Sequence, residues 1–201
     1  MNELLRGLPE IPILRNRCRA MAMLDAVLSP EWEGRYHSFN SRWAAGEEMA
    51  SMRNGSGDDW FIVFSAVGVC GRGFNHEIPN APQVLDAVPA VFEPYVTEPA
   101  FADHDGSPRA TLCFWREPRD TDWGVSATDR GGHELFELLV DGTPEGYQEW
   151  AQDYYEAEVS LAAIEHVYAL LPLTPAVVAG LNPAVDLLVL EPDLIEIGYP
   201  H

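Results

Sequence analysis

The sequence predicts an α+β protein with an N-terminal helix, a central, mainly antiparallel sheet and a helical C-terminal third. Three observations carry this. Apolar residues recur at three-four spacing across residues 11–29. Aromatic and apolar runs separated by turn residues fill residues 35–116. Two Thr-Pro pairs open helical patterns beyond residue 142. A chain of 201 residues fits one domain over 1–201, with a helical subdomain over 143–185 as the alternative division. Such a length buries roughly 70% of the surface its unfolded form exposes. With 47% hydrophobic residues and three cysteines, collagenous, disordered and disulfide-scaffold classes are excluded.

The elements follow in order. Ile11, Leu14, Cys18, Met21, Leu24 and Leu28 fall on one helical face, Arg15 and Arg19 stand one turn apart on another, and Pro30 ends the element. Tyr36, Phe39 and Trp43 mark an aromatic strand. Asn54-Gly55-Ser56-Gly57-Asp58 is a turn, because Asn and Gly tolerate positive φ. The apolar run Trp60–Phe64 reads as a strand buried on both faces, and the glycine-interrupted Val67–Phe74 as the next strand of a meander. Residues 76–108 are proline-punctuated, with short helices starting near Pro82 and Pro89. Arg109–Arg116 is a further strand, 117–132 a polar connection around Trp123, and His133–Val140 a strand in preference to a helix. Thr143-Pro144-Glu145 starts a helix to about Tyr155, since threonine caps, proline takes the first turn and glutamate suits the helix dipole. Val159–Leu171 follows, with Leu161, Ile164, Val167, Tyr168 and Leu171 on one stripe. Thr174-Pro175 opens a third helix ending near Gly180, and Asp186–Ile197 is a terminal strand or short helix.

Charge narrows the function classes. The formal net charge is −20, and all 12 cations are arginines, a mark of GC-rich bacterial coding. Arginine forks suit ordered carboxylate pairs. Residues 131–201 hold 13 acidic residues and no arginine, whereas Arg6, Arg15, Arg17 and Arg19 crowd the first twenty positions. Such a surface repels nucleic-acid phosphates and anionic membranes, and suits a basic partner protein or plain solvation. Cys18, Cys70 and Cys113 lie far apart in apolar contexts without a CxxC pair, as expected of reduced, buried thiols in the cytoplasm. No signal-peptide-length or membrane-length apolar run is present; the richest stretch, 169–181, is broken by Pro172 and Pro175.

Several constellations could carry chemistry. His76-Glu77 follows a strand and could form an acid–base pair beside Arg72, which suits a carboxylate or phosphate; the alternative is a histidine that satisfies loop backbone. Asp103-His104-Asp105 offers metal-ligand types, but a site needs three or four convergent ligands, with only His76, Glu77 and His133 left to join; an Asp/Gly loop is the structural alternative. Arg53, Asn54 and Asp58 form either a tight hairpin turn or a surface recognition loop; the GxG there precedes a strand, whereas nucleotide-binding fingerprints follow one. No GxSxG elbow accompanies Ser65 or Ser126, and Cys70 has only Arg72 as a nearby cation. Trp123, among Asp120, Asp122 and Gly124, is the tryptophan most open to solvent as an interface anchor, against insertion in the core. None of these patterns implies a cofactor.

The segment from Trp43 to Glu77, with Met-Ala-Ser-Met-Arg-Asn-Gly-Ser-Gly-Asp and Gly-Phe-Asn-His-Glu, resembles a group of bacterial proteins to which no activity is assigned, as does the tail Glu196–Pro200. The resemblance covers about a fifth of the chain, implies a bacterial cytoplasmic protein and transfers no catalytic residue. In size, charge and fold class the chain is also similar to small acidic immunity proteins of bacterial toxin systems. The resulting expectation is a non-enzymatic, acidic interaction protein, regulatory or of toxin-immunity type, that binds a basic partner. The alternative is a small enzyme or ligand-binding protein with a pocket around Arg72, His76 and Glu77.

Overall fold

A computed structural model describes residues 3–103 and 105–200. The protein is α+β: an N-terminal helical segment, a six-stranded antiparallel sheet and a helical C-terminal part. Helices α1 (Glu3–Arg6) and α2 (Ile11–Leu28) come first. Strands β1 (His37–Ala44), β2 (Glu47–Arg53), β3 (Asp59–Ser65) and β4 (Gly68–Phe74) follow as a meander. A proline-rich strap of 3₁₀ turns and α3 (Glu93–Val96) leads to β5 (Leu112–Arg116) and β6 (Gly124–Val125). The chain closes with α4 (Glu137–Asp141), α5 (Pro144–Tyr155), α6 (Leu161–Tyr168), α7 (Pro175–Leu181) and α8 (Glu191–Ile197). No helix among the described residues is long and apolar enough to cross a membrane.

The expected apolar stripe of α2 is present, but the helix is buried on every side from Ala20 to Val27. It lies between the sheet and the C-terminal helices α6, α7 and α8. A helix covered all round is the centre of a core and not an edge of it. Leu24, Trp60, Tyr147, Ile164, Val167 and Leu181 belong to one continuous apolar cluster, so the terminal helices and the sheet share a core.

Strand register explains why Trp60–Phe64 is apolar throughout. Trp60, Ile62 and Phe64 pair with Met52, Ala50 and Glu48 on the face toward α2, while Phe61 and Val63 pair with Ser51 and Met49 on the opposite face. That second face is roofed by the strap, where Ala81, Val84 and Leu85 pack on Cys113 and Trp115, and Phe101 stacks on Phe61. An antiparallel sheet buried on both faces loses the usual in–out alternation.

Two expectations are corrected. His133–Val140 is helical: a 3₁₀ turn at His133–Phe136 runs into α4, burying Phe136 and Leu139 three residues apart on one face. Arg17 Nη1 donates to the Leu139 and Val140 carbonyls at 2.6 and 3.1 Å, closing that end. The ladder place beside β5 belongs instead to Gly124–Val125, inside the expected polar connection. Glu47–Arg53, to which the sequence assigns no element, is a strand: Ala50 and Met52 point to the core, Glu47 accepts from Tyr95 of the strap and Arg53 is exposed. Of the two readings of residues 186–197, the helical one holds.

The glycines of β4 are steric necessities. A Cβ on Gly71 would sit 2.2 Å from Phe114 Cζ, because the ring lies flat over the strand. Gly71→Ala is therefore expected to destabilise the fold by about 1–3 kcal/mol through overpacking. Urea unfolding checks this, and an unchanged midpoint would show that Phe114 is free to move aside.

Candidate functional site

The site begins with one polar residue in an apolar helix. Asp25 interrupts the buried run of α2 and is 0% exposed. Its Oδ2 accepts the backbone N–H of His37 at 2.6 Å and lies 2.8 Å from His37 Nδ1. Its Oδ1 accepts the Tyr147 hydroxyl from α5. A buried carboxylate has to be satisfied by donors, and here a strand and a second helix supply them. Burial, and then the Asp25 charge, push the Tyr147 hydroxyl far above its ordinary range, so Tyr147 keeps its proton and remains a donor. Tyr155, beside the same carboxylate, is raised for the same two reasons.

A carboxylate only accepts, so the His37 Nδ1 that faces Oδ2 is the donor, and Asp25 fixes the orientation of the ring. The imidazole is held edge-on by Tyr36 and Trp150, with ring centroids 4.7 and 5.2 Å away. His37 is only 3% exposed, and that remnant lines a pocket of about 660 Å³.

The pocket lies between α5 and the segment Glu134–Asp141. Trp150 and Tyr36 form its aromatic wall, with ring centroids 4.8 Å apart, and Tyr154 stacks behind Trp150 at 5.2 Å. Glu134, Glu137, Asp141, Glu149 and Asp153 form the rim. Glu134 accepts from Asn75 and Asp141 from Thr143, but none of the five is in an ion pair among the described residues, and no arginine lines the pocket. Burial, followed by Tyr154, raises the Tyr36 phenol to about 12, so this wall is uncharged. The lining includes no serine, threonine or cysteine to act as a nucleophile.

The residues singled out from the sequence lie elsewhere. His76 is 44% exposed at the side chain, with Nδ1 2.7 Å from Asp58 Oδ1, and Glu77 is exposed beside it. Arg72 is instead 5% exposed beneath the strap, donating to the Phe101 carbonyl with its guanidinium 5.0 Å from the Phe101 ring centre. None of the five pockets described is lined by any of the three, and Arg72 lies under the strap while His76 and Glu77 are at the surface. The hairpin alternative describes 54–58: Asn54 Oδ1 accepts the Ser56 and Asp58 amides, and Asn54 Nδ2 donates to Asp58. Burial opposes ionisation of Asp58, but bonds from His76 and Asn54 outweigh it and hold the carboxyl below its usual range. Arg53 rests 4.0 Å from the centre of the Trp32 ring.

Trp123 is not an exposed anchor. It is 4% exposed and its indole N–H donates to the Leu8 carbonyl at 2.9 Å, because β6 turns it in under α1. Asp103 and Asp105 belong to a tight turn in which the Asp103 amide bonds Ser107 O and Asp105 accepts the Ser107 amide and hydroxyl. Those Ser107 bonds lower the Asp105 carboxyl. His104 lies outside the described residues. His133 Nε2 is 3.3 Å from Asp129. Among the described residues, no three His, Cys, Asp or Glu side chains gather as a metal cluster. Cys70 is pushed up to about 12 by burial, which outweighs Arg72, so it is an inert thiol.

Sequence reasoning overlooked Asp25 and His37. Their signal was a single carboxylate inside the apolar run Ala20–Leu28, a pattern that buries a charge if the helix is central. No family model, curated protein or solved structure matches the chain.

Two stability tests follow. Asp25→Ala orphans three donors and is expected to cost roughly 3–5 kcal/mol, against about 1 kcal/mol for Tyr147→Phe; denaturant unfolding of both checks this, and near-wild-type values would remove Asp25 as the pin. The second concerns Asp59, which pairs with Arg109 at 2.9 Å but is raised from 3.8 to about 6 because burial exceeds the help from Arg109 and Arg72. A carboxyl with a raised folded-state pKa binds more protons folded than unfolded, so its contribution falls as pH rises from about 4 to about 6, by an amount on the order of 2 kcal/mol. Unfolding midpoints across that window should fall more steeply in the native chain than in Asp59→Asn; parallel slopes would refute the assignment.

Proposed function

We propose that the protein is a non-enzymatic interaction protein, regulatory or toxin-neutralising, that binds a basic partner through the acidic pocket face of α4 and α5. The carrying observation is a rim of five carboxylates that form no ion pair among the described residues, around an aromatic wall. It lies in a third of the chain with 13 acidic residues and no arginine. Uncompensated negative potential raises the encounter rate of a cationic partner and repels polyanions. Half-buried aromatics supply the rigid contact area that interface centres use. Three free, buried cysteines fit a reducing, cytoplasmic setting.

A second reading is enzymatic, and the Asp25–His37 pair favours it, since a histidine oriented by a carboxylate is the usual form of a general base. Such a base can take a proton from a bound substrate or from water; the acidic rim, with no arginine in the lining, favours the binding reading.

Binding of an oligo-arginine peptide to the full chain, measured by calorimetry, tests the proposal. Affinity is expected to fall about tenfold or more between about 50 and about 300 mM salt. Affinity unchanged by salt, or no binding at low salt, would overturn it.

A further inference from the structure

The proposed basic partner leaves open which cationic group enters the pocket. Resting on that reading, we infer that the pocket is the seat of an arginine side chain, its guanidinium laid on Trp150 and donating to His37 Nε2 at the floor. His37 is more than nine-tenths buried and its Nδ1 is committed to Asp25. Its Nε2 makes no hydrogen bond to a described residue; His37 lines this pocket and also a narrow cleft beside Trp32 and Asp193 that is too small for a ligand, and the proposed seat places Nε2 at the floor of the larger one. In the neutral ring with the proton on Nδ1, Nε2 is an acceptor. It asks for a donor, and the uncompensated rim asks for that donor to be positive.

The shape of the site separates guanidinium from ammonium. A flat cation stacks on the Trp150–Tyr36 wall while its edge points toward Nε2, and its remaining N–H groups fan outward toward Glu137, Glu149 and Asp153. Five donors in one plane serve an acceptor at the floor and carboxylates at the rim together. An ammonium presents three donors from a single point, cannot stack, and loses more hydration on entering. The volume of about 660 Å³ admits the whole side chain with its stem. No side chain of the protein itself occupies this role, because no arginine lines the pocket.

Titration of the intact chain with acetyl-L-arginine amide, and separately with acetyl-L-lysine amide, tests the inference. Histidine and indole nitrogens are followed by NMR. The arginine compound is expected to bind about fivefold or more tightly than the lysine compound, and to shift the His37 Nε2 and Trp150 resonances ahead of the other histidines and tryptophans. Glu137→Gln with Glu149→Gln, both exposed positions, should weaken arginine binding about fivefold with an unchanged fold. His37→Gln should abolish the arginine preference; because that change can also unfold the chain through Asp25, the resonance shifts in the unaltered protein decide the matter. Equal binding of the two compounds, or shifts that bypass His37, would overturn the arginine seat while salt-dependent oligo-arginine binding kept the basic-partner reading. Absence of binding by both compounds and by oligo-arginine would overturn both.

Discussion

The arrangement of the α-helical and β-sheet layers depends on the satisfaction of a single buried carboxylate. Asp25 sits at the middle of α2, where water cannot reach it, and its oxygens are met by the first residue of β1 and by the hydroxyl of Tyr147 on α5. A group that would cost several kcal/mol if left unsatisfied becomes a three-way tie between the central helix, the edge strand and the C-terminal layer. By holding Nδ1 of His37, Asp25 fixes the orientation of a ring that lines the pocket, so the same contact that holds the fold also shapes the site.

Several arginines are committed elsewhere in the fold. Arg15 and Arg19 of α2 both reach Glu48 on β2, Arg35 holds Asp193 of α8, and Arg116 at the end of β5 forks onto Glu10. Arg17 closes α4 by bonding its last carbonyls, and it packs so tightly there that a Cβ on Gly142 would lie 1.9 Å from its Cζ. Each of these forks joins parts of the chain distant in sequence. Among the described residues the carboxylates of α4 and α5 form no ion pair with an arginine, and negative charge collects over the pocket.

The second face of the sheet carries a different tension. Arg72 and Asp59 are both placed there by register, under a strap that excludes water, and each is pushed toward its neutral form by burial, Arg72 to about 10. Arg109 moderates the cost for Asp59, whereas for Arg72 the Asp59 charge and the ring of Phe101 do so and Arg109 adds to it. Arg72, which looked like part of a polar site in sequence, thus serves to attach the strap.

Much of the fold was legible from the chain alone. Three-four spacing, the Asn-Gly turn and the Thr-Pro caps are local signals, and the central helix, the meander and the start of α5 follow from them, as does the acidic bias of the last third. Elements without a local signal were decided by their neighbours: β2 is a strand because β1 and β3 need a partner between them, and Phe136 and Leu139 coil because the sheet edge beside β5 is already filled. The candidate site belongs to this second kind. Asp25 and His37 are twelve residues apart on different elements, and Trp150 is over a hundred residues further on. Only tertiary packing brings their polar atoms and rings together, because a buried charge selects its partners by proximity in space and leaves no spacing in the sequence.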